Sequence, residues 1–315
     1  MTILVSKRHR FRFYLTIILS GMALLVMGTI VLLQLPGLPG AETVTPKDYC
    51  FLIFAFIIYS LAFYSVYKYY KNVPVIKIDE STISFYGKKS RLNEIEHLAL
   101  SGKVKFPFFI PYLMEAATLR FKDGQTRYIF DDLYENAWEF KSFLKQVVID
   151  DNTPLTHLEV SRVEKLELNV ESFRNYKGHQ LLSYRGLLLW GVLSFCVFIL
   201  LAGLIPWSTW YSITIISFLL FWFLVNSWLM HYFRMSQHYL VVKSHIYFWK
   251  TQAFRLKDIQ EIVFESQVKM PNILRVITKD FKSRSYPAGT LRNKTWLELK
   301  EALERQGIKV RNECI

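Results

Sequence analysis

Histidine, cysteine and acidic residues are the first candidates for chemistry in this sequence, but their spacing does not form a metal site. A bound ion needs such side chains at converging positions, as in HExxH or paired CxxC motifs. His238 and His245 are seven positions apart with a predicted strand between them. Cys50, Cys196 and Cys314 form no CxxC pair, and we interpret them as small apolar residues. The sequence therefore predicts no bound metal.

Phosphate-binding and nucleophilic motifs are missing as well. The 13 glycines form no GxGxxG, GxxxxGK or GxSxG pattern, which excludes the common nucleotide-binding and hydrolase signatures. Asp131 and Asp132 are adjacent acids, but they precede a predicted helix, where acidic residues stabilise the positive end of the helix dipole. We therefore expect a protein that is not an enzyme and that uses no cofactor.

Long apolar segments dominate the elements that would position any site, since 52% of the residues are hydrophobic. Residues 14–34 and 49–67 carry no charge, and the chain from Gly186 to Phe233 contains no Lys, Arg, Asp or Glu. Pro206 and Trp207 near the middle of that last stretch indicate a turn at a membrane surface. A membrane-spanning helix needs about 20 apolar residues. The sequence thus predicts four transmembrane helices in two hairpins, at 14–34, 49–67, 186–205 and 211–232.

The first apolar segment is predicted to be an uncleaved anchor, because it is longer than the apolar region of about 7–15 residues in a signal peptide. Basic residues precede it, whereas the loop at 35–48 has a net charge of −1. Lys and Arg near span ends are retained on the cytoplasmic side. We therefore expect a multi-pass protein of the cell inner (cytoplasmic) membrane, with both termini and both polar modules in the cytoplasm.

The same arrangement occurs twice along the chain. A hairpin region at 1–71 precedes a polar module at 72–149, and a second hairpin region at 185–235 precedes a module at 236–315. Alternating apolar and polar residues predict β-hairpins in both modules, and each module ends in a segment with helical spacing. The predicted fold class is an integral membrane α-helical protein with two small α+β modules, each a small antiparallel sheet with a C-terminal helix.

Alignment of the two modules gives the expected register. Residues 76–79 match 239–242 at an offset of 163, and residues 104–107 match 268–271 at an offset of 164. The offset then drops from 164 to 158, because the first copy carries a six-residue excess. Trp138 and Trp296 then hold the same place in the two closing helices. Residues 150–184, between the copies, are predicted either to add a strand or helix to the first module or to act as a linker.

A family resemblance follows from these elements. The segment IDESTISFYGKKSRLNEIEHL at 78–98 combines a strand pair, a basic turn and an L-x-x-I element, between a predicted transmembrane hairpin and a terminal helix. This order resembles the bacterial membrane-anchored PH-like domain proteins, in which a hairpin carries a small PH-type domain, and here the unit is duplicated. The resemblance implies PH-like modules with a binding or scaffolding role and no settled ligand.

The second module is strongly basic, with a net charge of +8 over residues 234–315. Each Lys or Arg close to an anionic leaflet contributes about 1 kcal/mol of attraction. The candidates for binding lipid headgroups are Lys250, Arg255, Lys257 and Lys269, with Trp249 and Phe254 between them. The alternative is a solvated basic face that only follows the positive-inside bias. We expect no nucleic-acid partner, since neither module shows a base-stacking or groove-reading signature.

The excess in the first module is unusually apolar, and the second copy lacks it. It either packs on the sheet or hairpin of its own module, or it is exposed for contact with the membrane or a protein partner. We expect the second arrangement. The contact candidates are Phe106, Phe108, Phe109, Ile110, Tyr112 and Leu113.

These observations predict a non-enzymatic inner-membrane scaffold that presents two cytoplasmic PH-like modules to anionic lipid headgroups or to a membrane partner. One alternative is an immunity or resistance protein that neutralises a membrane-active toxin. Another is a small transporter or channel component, although the only internal polar spot in the apolar segments is Asn226–Ser227. That pair is more typical of an interhelical hydrogen bond than of a binding site.

Overall fold

A computed structural model describes residues 3–33, 46–108, 111–151, 163, 168, 171–202, 209–247, 249–266 and 271–314. The chain forms two compact units, Met1–His157 and Leu158–Ile315. Each unit contains a short first strand, a pair of apolar helices, two sheets and a helix near its C-terminal end.

The helix pair of the first unit consists of α1 (Arg10–Leu33) and α2 (Pro46–Asn72), which pack along each other. Gly21 and Gly28 are buried, and a Cβ atom at Gly28 would lie 2.9 Å from the ring of Tyr59. At about 1.5 Å per residue each helix exceeds the roughly 30 Å of a hydrocarbon core. Both helices are long and apolar enough to cross a membrane.

The second unit corrects the prediction of four transmembrane helices. Its apolar helices are α4 (Tyr184–Leu201) and α5 (Thr209–Trp228), and their apolar parts with described side chains are Tyr184–Ile199 and Ile213–Trp228. The described apolar part of each helix is shorter than the about 20 apolar residues that a membrane-spanning helix needs. Within the described residues, two helices and not four can span a membrane. The predicted turn at Pro206–Trp207 lies outside those residues.

In the first unit, one sheet has the order β1-β2-β3-β4, and in the other β7 pairs with β5, β6 and β8. The strands are β1 (Leu4–Val5), β2 (Ile76–Ile78), β3 (Thr82–Phe85), β4 (Lys88–Arg91), β5 (Ile95–Ala99), β6 (Lys103–Phe106), β7 (Tyr112–Phe121) and β8 (Thr126–Phe130). The unit closes with α3 (Ala137–Leu144) and a π-helical turn at Lys145–Ile149.

In the second unit, the sheets have the orders β12-β11-β10-β9 and β15-β14-β13-β16. The strands are β9 (Arg174–Tyr176), β10 (His231–Met235), β11 (Tyr239–Ser244), β12 (Thr251–Arg255), β13 (Ile259–Glu265), β14 (Ile273–Thr278), β15 (Ser283–Pro287) and β16 (Lys309–Asn312). Helix α6 (Asn293–Arg305) precedes β16, which pairs in parallel with β13.

The expectation of one small antiparallel sheet in each module is therefore wrong, because each unit has two four-stranded sheets and the second contains a parallel pair. In both units the first strand precedes the helix pair: β1 pairs with β2, and β9 pairs with β10. Strands of two and three residues are too short to show an alternating pattern. Part of the segment 150–184 thus supplies strand β9 to the second unit.

Backbone hydrogen bonds establish the true register of the repeat. The N–H of Leu92 donates to Ser81 O at 2.9 Å, and the N–H of Leu256 donates to His238 O at 2.8 Å. Strand β11 is therefore the counterpart of β3 and not, as the alignment predicted, of β2. The misalignment arose because the turn after β11 is longer than the turn after β3.

The two tryptophans are also not equivalent. In α6 the buried side chains are Trp296, Leu299 and Leu303, and Trp296 packs on Phe264 with ring centroids 5.1 Å apart. In α3 the same spacing of buried residues begins at Ala137, whereas Trp138 is only half-buried. The expected match between Trp138 and Trp296 is therefore off by one position, so the two side chains point to different faces of their helices.

Candidate functional site

The residues predicted to bind lipid lie at two opposite ends of a sheet in the second unit. Trp249 and Lys250 lie in the turn between β11 and β12, next to the end of α5, since the N–H of His245 in the same turn donates to Met230 O at 3.0 Å. Arg255 ends β12, and Lys257 follows it. A five-residue strand separates the two ends by about 13 Å. Lys269 lies outside the described residues.

At the end near α5, the turn forms an exposed aromatic and basic tip. Trp249 is 62% exposed, and its ring packs against Tyr247 with centroids 5.6 Å apart. Lys250 Nζ lies 5.3 Å from the centroid of the same Tyr247 ring. An aromatic ring with a lysine beside it is suited to the interface between lipid headgroups and water.

Phe254 has a structural role. Its side chain packs against the core of the second unit, and its ring lies 6.2 Å from that of Tyr286 in an edge-on arrangement. We therefore assign Phe254 to the core rather than to the exposed basic surface.

At the far end of the same sheet, Arg255 and Lys257 line a polar groove of about 600 Å³, together with Lys279 and Lys309. Lys309 Nζ is paired with Glu261 at 3.1 Å, and His238 Nδ1, which also lines the groove, is paired with Glu171 at 2.7 Å. Sequence reasoning missed Lys279, which reaches the groove because its N–H donates to Asp258 O at 2.8 Å. The groove is suited to attract anions. It is remote from α5, because β10 begins beside that helix and ends at the opposite end of the sheet.

The apolar excess of the first unit is packed at one end and exposed at the other. Phe106 is fully buried, with its ring 5.3 Å from that of Tyr69 on α2. Phe108 is half-buried and meets Tyr69 edge-on at 5.7 Å. Tyr112 and Leu113 are 39% and 51% exposed. Phe109 and Ile110 lie outside the described residues. The excess is thus packed on its own unit at Phe106 and exposed at Tyr112 and Leu113, and contact with a membrane or a partner stays a prediction.

A ring of aromatic and basic residues surrounds the end of the helix pair where the first sheet begins, and we call it the collar. Its exposed aromatic residues are Phe11, Tyr14, Tyr64, Tyr67 and Tyr70. Lys68 Nζ and Lys71 Nζ each lie 5.6 Å from a tyrosine ring centroid, of Tyr64 and Tyr67 respectively. Sequence reasoning ended the second span at 67 and so missed the collar, although tyrosines at three-residue intervals were its visible signal.

The acids Asp131 and Asp132 form ion pairs and do not act at a helix terminus. Asp131 pairs with Lys141 where both side chains are buried, and Asp132 pairs with Arg12 of α1. Helix α3 begins at Ala137, too far along the chain for either carboxylate to lie in its first turn. The pairs connect the chain before α3 to α3 itself and to the helix pair.

Two histidines of the second unit are held neutral near the end of α5. Burial, followed by the charges of Lys177 and His231, lowers the pKa of His245 to about 4. Burial also lowers the pKa of His231, whose Nδ1 donates to the Pro287 carbonyl at 2.9 Å. No group of three His, Cys, Asp or Glu side chains suited to a metal ion occurs among the described residues.

Asn226 does not make the interhelical hydrogen bond that the sequence suggested. Its amide donates to Trp222 O of its own helix at 3.0 Å. The bond between α5 and α4 instead comes from the Trp222 indole, which donates to Leu188 O at 3.3 Å. The geometry of Asn226 therefore offers no support for a transport site.

No protein-family model matches the chain, and no curated protein is significantly similar to it. The resemblance to membrane-anchored PH-like proteins therefore stays a prediction. Within the described residues, the structure defines two units of helices and sheets and one helix pair that is long and apolar enough to cross a membrane.

Proposed function

We propose that this protein is a non-enzymatic membrane-anchored binding protein of the bacterial inner membrane, and that its units associate with anionic lipid headgroups. The α1–α2 pair is the anchor. The observation that carries the proposal is the collar, where lysines and exposed tyrosines surround the junction between the helix pair and the first sheet. Tyrosines prefer the headgroup level of a bilayer, and lysines there attract anionic lipids.

The charge distribution supports a cytoplasmic position for the first unit. Arg8, Arg10 and Arg12 lie just before or within the first turn of α1, and Lys68 and Lys71 lie in the last turns of α2. Basic residues near the ends of a span favour the cytoplasmic side. On this proposal, the first unit lies on the inner face of the membrane.

The exposed part of the apolar excess supports contact between the first unit and the bilayer surface. Tyr112 and Leu113 follow Phe108, which touches Tyr69 in the last turns of α2. Asn72 at the end of α2 also donates its side-chain amide to Pro107 O at 2.5 Å. If the collar lies among the headgroups, Tyr112 and Leu113 lie at the same depth. Burial of their apolar surface there would favour membrane binding by about 25 cal/mol per Å².

Lipid competition on the full-length protein tests the proposal. The purified protein is exposed to equal amounts of phosphatidylglycerol and phosphatidylcholine, and retained lipids are counted by native mass spectrometry. We expect a preference for the anionic lipid that falls several-fold in Lys68→Gln/Lys71→Gln, because about 1 kcal/mol is lost with each lysine.

The control is Arg120→Gln/Lys122→Gln, which removes the same charge from exposed positions of the first unit, at the end of β7 away from the collar. It should retain the wild-type preference. Equal retention of both lipids by the wild-type protein, or an equal loss in the two double variants, would refute the role assigned to the collar.

A further inference from the structure

We propose that the first unit contains a binding site for a phosphate-ester anion, in the cavity between the end of α2 and the face of β2, β3 and β4 that points away from the core. The cavity has a volume of about 510 Å³, and Tyr70 and Lys71 of the collar form one wall. A lipid headgroup as the source of the phosphate rests on the proposed membrane role, whereas the site itself rests on its own geometry.

Three side chains of adjacent strands form the floor of this cavity. Lys77 lies opposite Ser84, and Ser84 lies opposite Lys89, in one cross-strand row. Residues directly opposite each other in a sheet project from the same face with Cβ atoms about 5 Å apart. Ile76 and Ile78, on either side of Lys77, are fully buried and face the core. The row therefore presents a hydroxyl between two ammonium groups on the outer face.

The charge of the cavity is uniformly positive. Arg8 and Lys71 join Lys77 and Lys89 along its lining, and none of the residues that line it is acidic. Arg8 is fixed in place, since its Nε and Nη2 both donate to Val73 O, at 3.0 and 2.7 Å. Four cations around one hydroxyl match a phosphate group, whose oxygens accept several charge-assisted hydrogen bonds.

The turn at the rim of the cavity has a strained backbone, which suggests that its residues contribute to ligand binding. Tyr86 and Gly87 connect β3 to β4, and both have positive φ, 55° for Tyr86 and 78° for Gly87. Two-residue turns of this kind favour Asn or Gly at the first position, and an aromatic residue there costs stability. The tyrosine side chain is 51% exposed and lines the cavity. Its position suits contact with the glycerol or acyl part of a lipid.

The second unit lacks this arrangement, which makes the site specific to the first unit. The corresponding cross-strand row is Arg234, Val241 and Ala253. Only the first of the three positions remains basic, and the hydroxyl and the second lysine are replaced by apolar side chains. The duplicated sheets therefore share their hydrogen-bonding register but not the anion site.

The test compares two adjacent lysines of one strand in the full-length protein. Lys89 belongs to the row, whereas Lys88 projects from the opposite face of β4 and is also exposed. We expect Lys89→Gln to weaken the binding of dioctanoyl phosphatidylglycerol about fivefold, and Lys77→Gln/Lys89→Gln about 25-fold, at about 1 kcal/mol for each lysine. Lys88→Gln should bind as the wild-type protein does. Equal affinities of Lys88→Gln and Lys89→Gln would overturn the site.

Parallel titrations with glycerol 3-phosphate and inorganic phosphate identify the source of the anion. If the lipid binds and the two soluble anions do not, the natural ligand of the site is a membrane headgroup. Binding of glycerol 3-phosphate with the same dependence on Lys89, but no binding of the lipid, keeps the site and rejects the lipid role. Preference for anionic lipid without any dependence on Lys77 and Lys89 rejects the site and leaves the proposed function standing.

A second variant separates binding from folding. Tyr86→Asn relieves the positive φ and should raise the melting temperature of the first unit, while it lowers affinity for the short-chain lipid. A variant that is more stable and binds equally well would show that Tyr86 has no part in the site.

Discussion

The guanidinium carbon of Arg8 lies 4.0 Å from the ring centroid of Tyr70, which fixes the chain between β1 and α1 against the last turn of α2. The same side chain donates two hydrogen bonds to Val73 O. One arginine thus joins the N-terminal strand, the helix pair and the start of the first sheet, although residues 8 and 70 are far apart in sequence.

Replacement of Arg8 by alanine should therefore destabilise the first unit. Hydrogen bonds to a charged group contribute about 1.5–3 kcal/mol, and the loss of the cation–π contact adds to this. Arg10→Ala is the matched control, since Arg10 is exposed at the start of α1. Thermal unfolding in detergent should show a clearly lower melting temperature for Arg8→Ala and little change in melting temperature for Arg10→Ala. The opposite order would contradict the assigned role.

The two tryptophans should respond very differently to truncation. Trp296 is 1% exposed and packs on Phe233 and Phe264, so Trp296→Ala should cost about 3–5 kcal/mol. Trp138 is half-buried, and Trp138→Ala should cost markedly less. Chemical denaturation monitored for each unit measures both losses. Similar losses of unfolding free energy would show that the two tryptophans are equivalent, as the sequence alignment predicted.

The buried pair of Lys141 and Asp131 should show strong coupling. Both side chains are almost inaccessible, at 0% and 3% exposure. Lys141→Met leaves a buried carboxylate without this cation and should cost about 3–5 kcal/mol, because an uncompensated charge is expensive in the interior. Asp131→Leu/Lys141→Met should be more stable than Lys141→Met alone. A double-mutant cycle with additive losses would argue against the pair.

Stability of the second unit should decrease in mild acid. The pKa of His245 is lowered to about 4 in the folded unit, whereas an unfolded histidine titrates near 6.5. Between these values the unfolded chain binds more protons, so this contribution to stability is fully present above about pH 6.5 and is lost as the pH falls through 4.

The control for that prediction is His245→Gln, which retains a polar group near Thr290 and removes the titration. Denaturation midpoints measured from pH 7 to pH 4 should decrease less steeply in the variant. Identical slopes would show that burial of His245 does not cause the pH dependence.

The sequence predicted those features that depend on local pattern. The apolar length of α1 and α2, the β7–β8 hairpin and the closing helices all follow from periodicity. The strands β1 and β9 were missed because the partners they have among the described strands, β2 and β10, lie across a helix pair in the sequence. Such pairing is a tertiary event that no local window contains.

The same reasoning explains why the cavity of the first unit was not predicted. Its lining combines Arg8, the end of α2 and the row from Lys77 to Lys89, which come together only when β1 pairs with β2. Net charge pointed to the second unit, which carries +8 over residues 234–315. Net charge cannot show whether lysines project from one face of a sheet or from two.

Depth measurements along strand β7 test the central claim, that the first unit rests on the bilayer at its collar. Leu113 and Asp123 lie near the two ends of this ten-residue strand and its turn, about 30 Å apart. Spin labels are placed at Leu113→Cys or Asp123→Cys in a background of Cys50→Ser, Cys196→Ser and Cys314→Ser, in vesicles that contain phosphatidylglycerol. We predict that the label at 113 is accessible to oxygen and protected from an aqueous nickel reagent, while the label at 123 is fully accessible to nickel. Equal nickel accessibility at both positions would contradict the account.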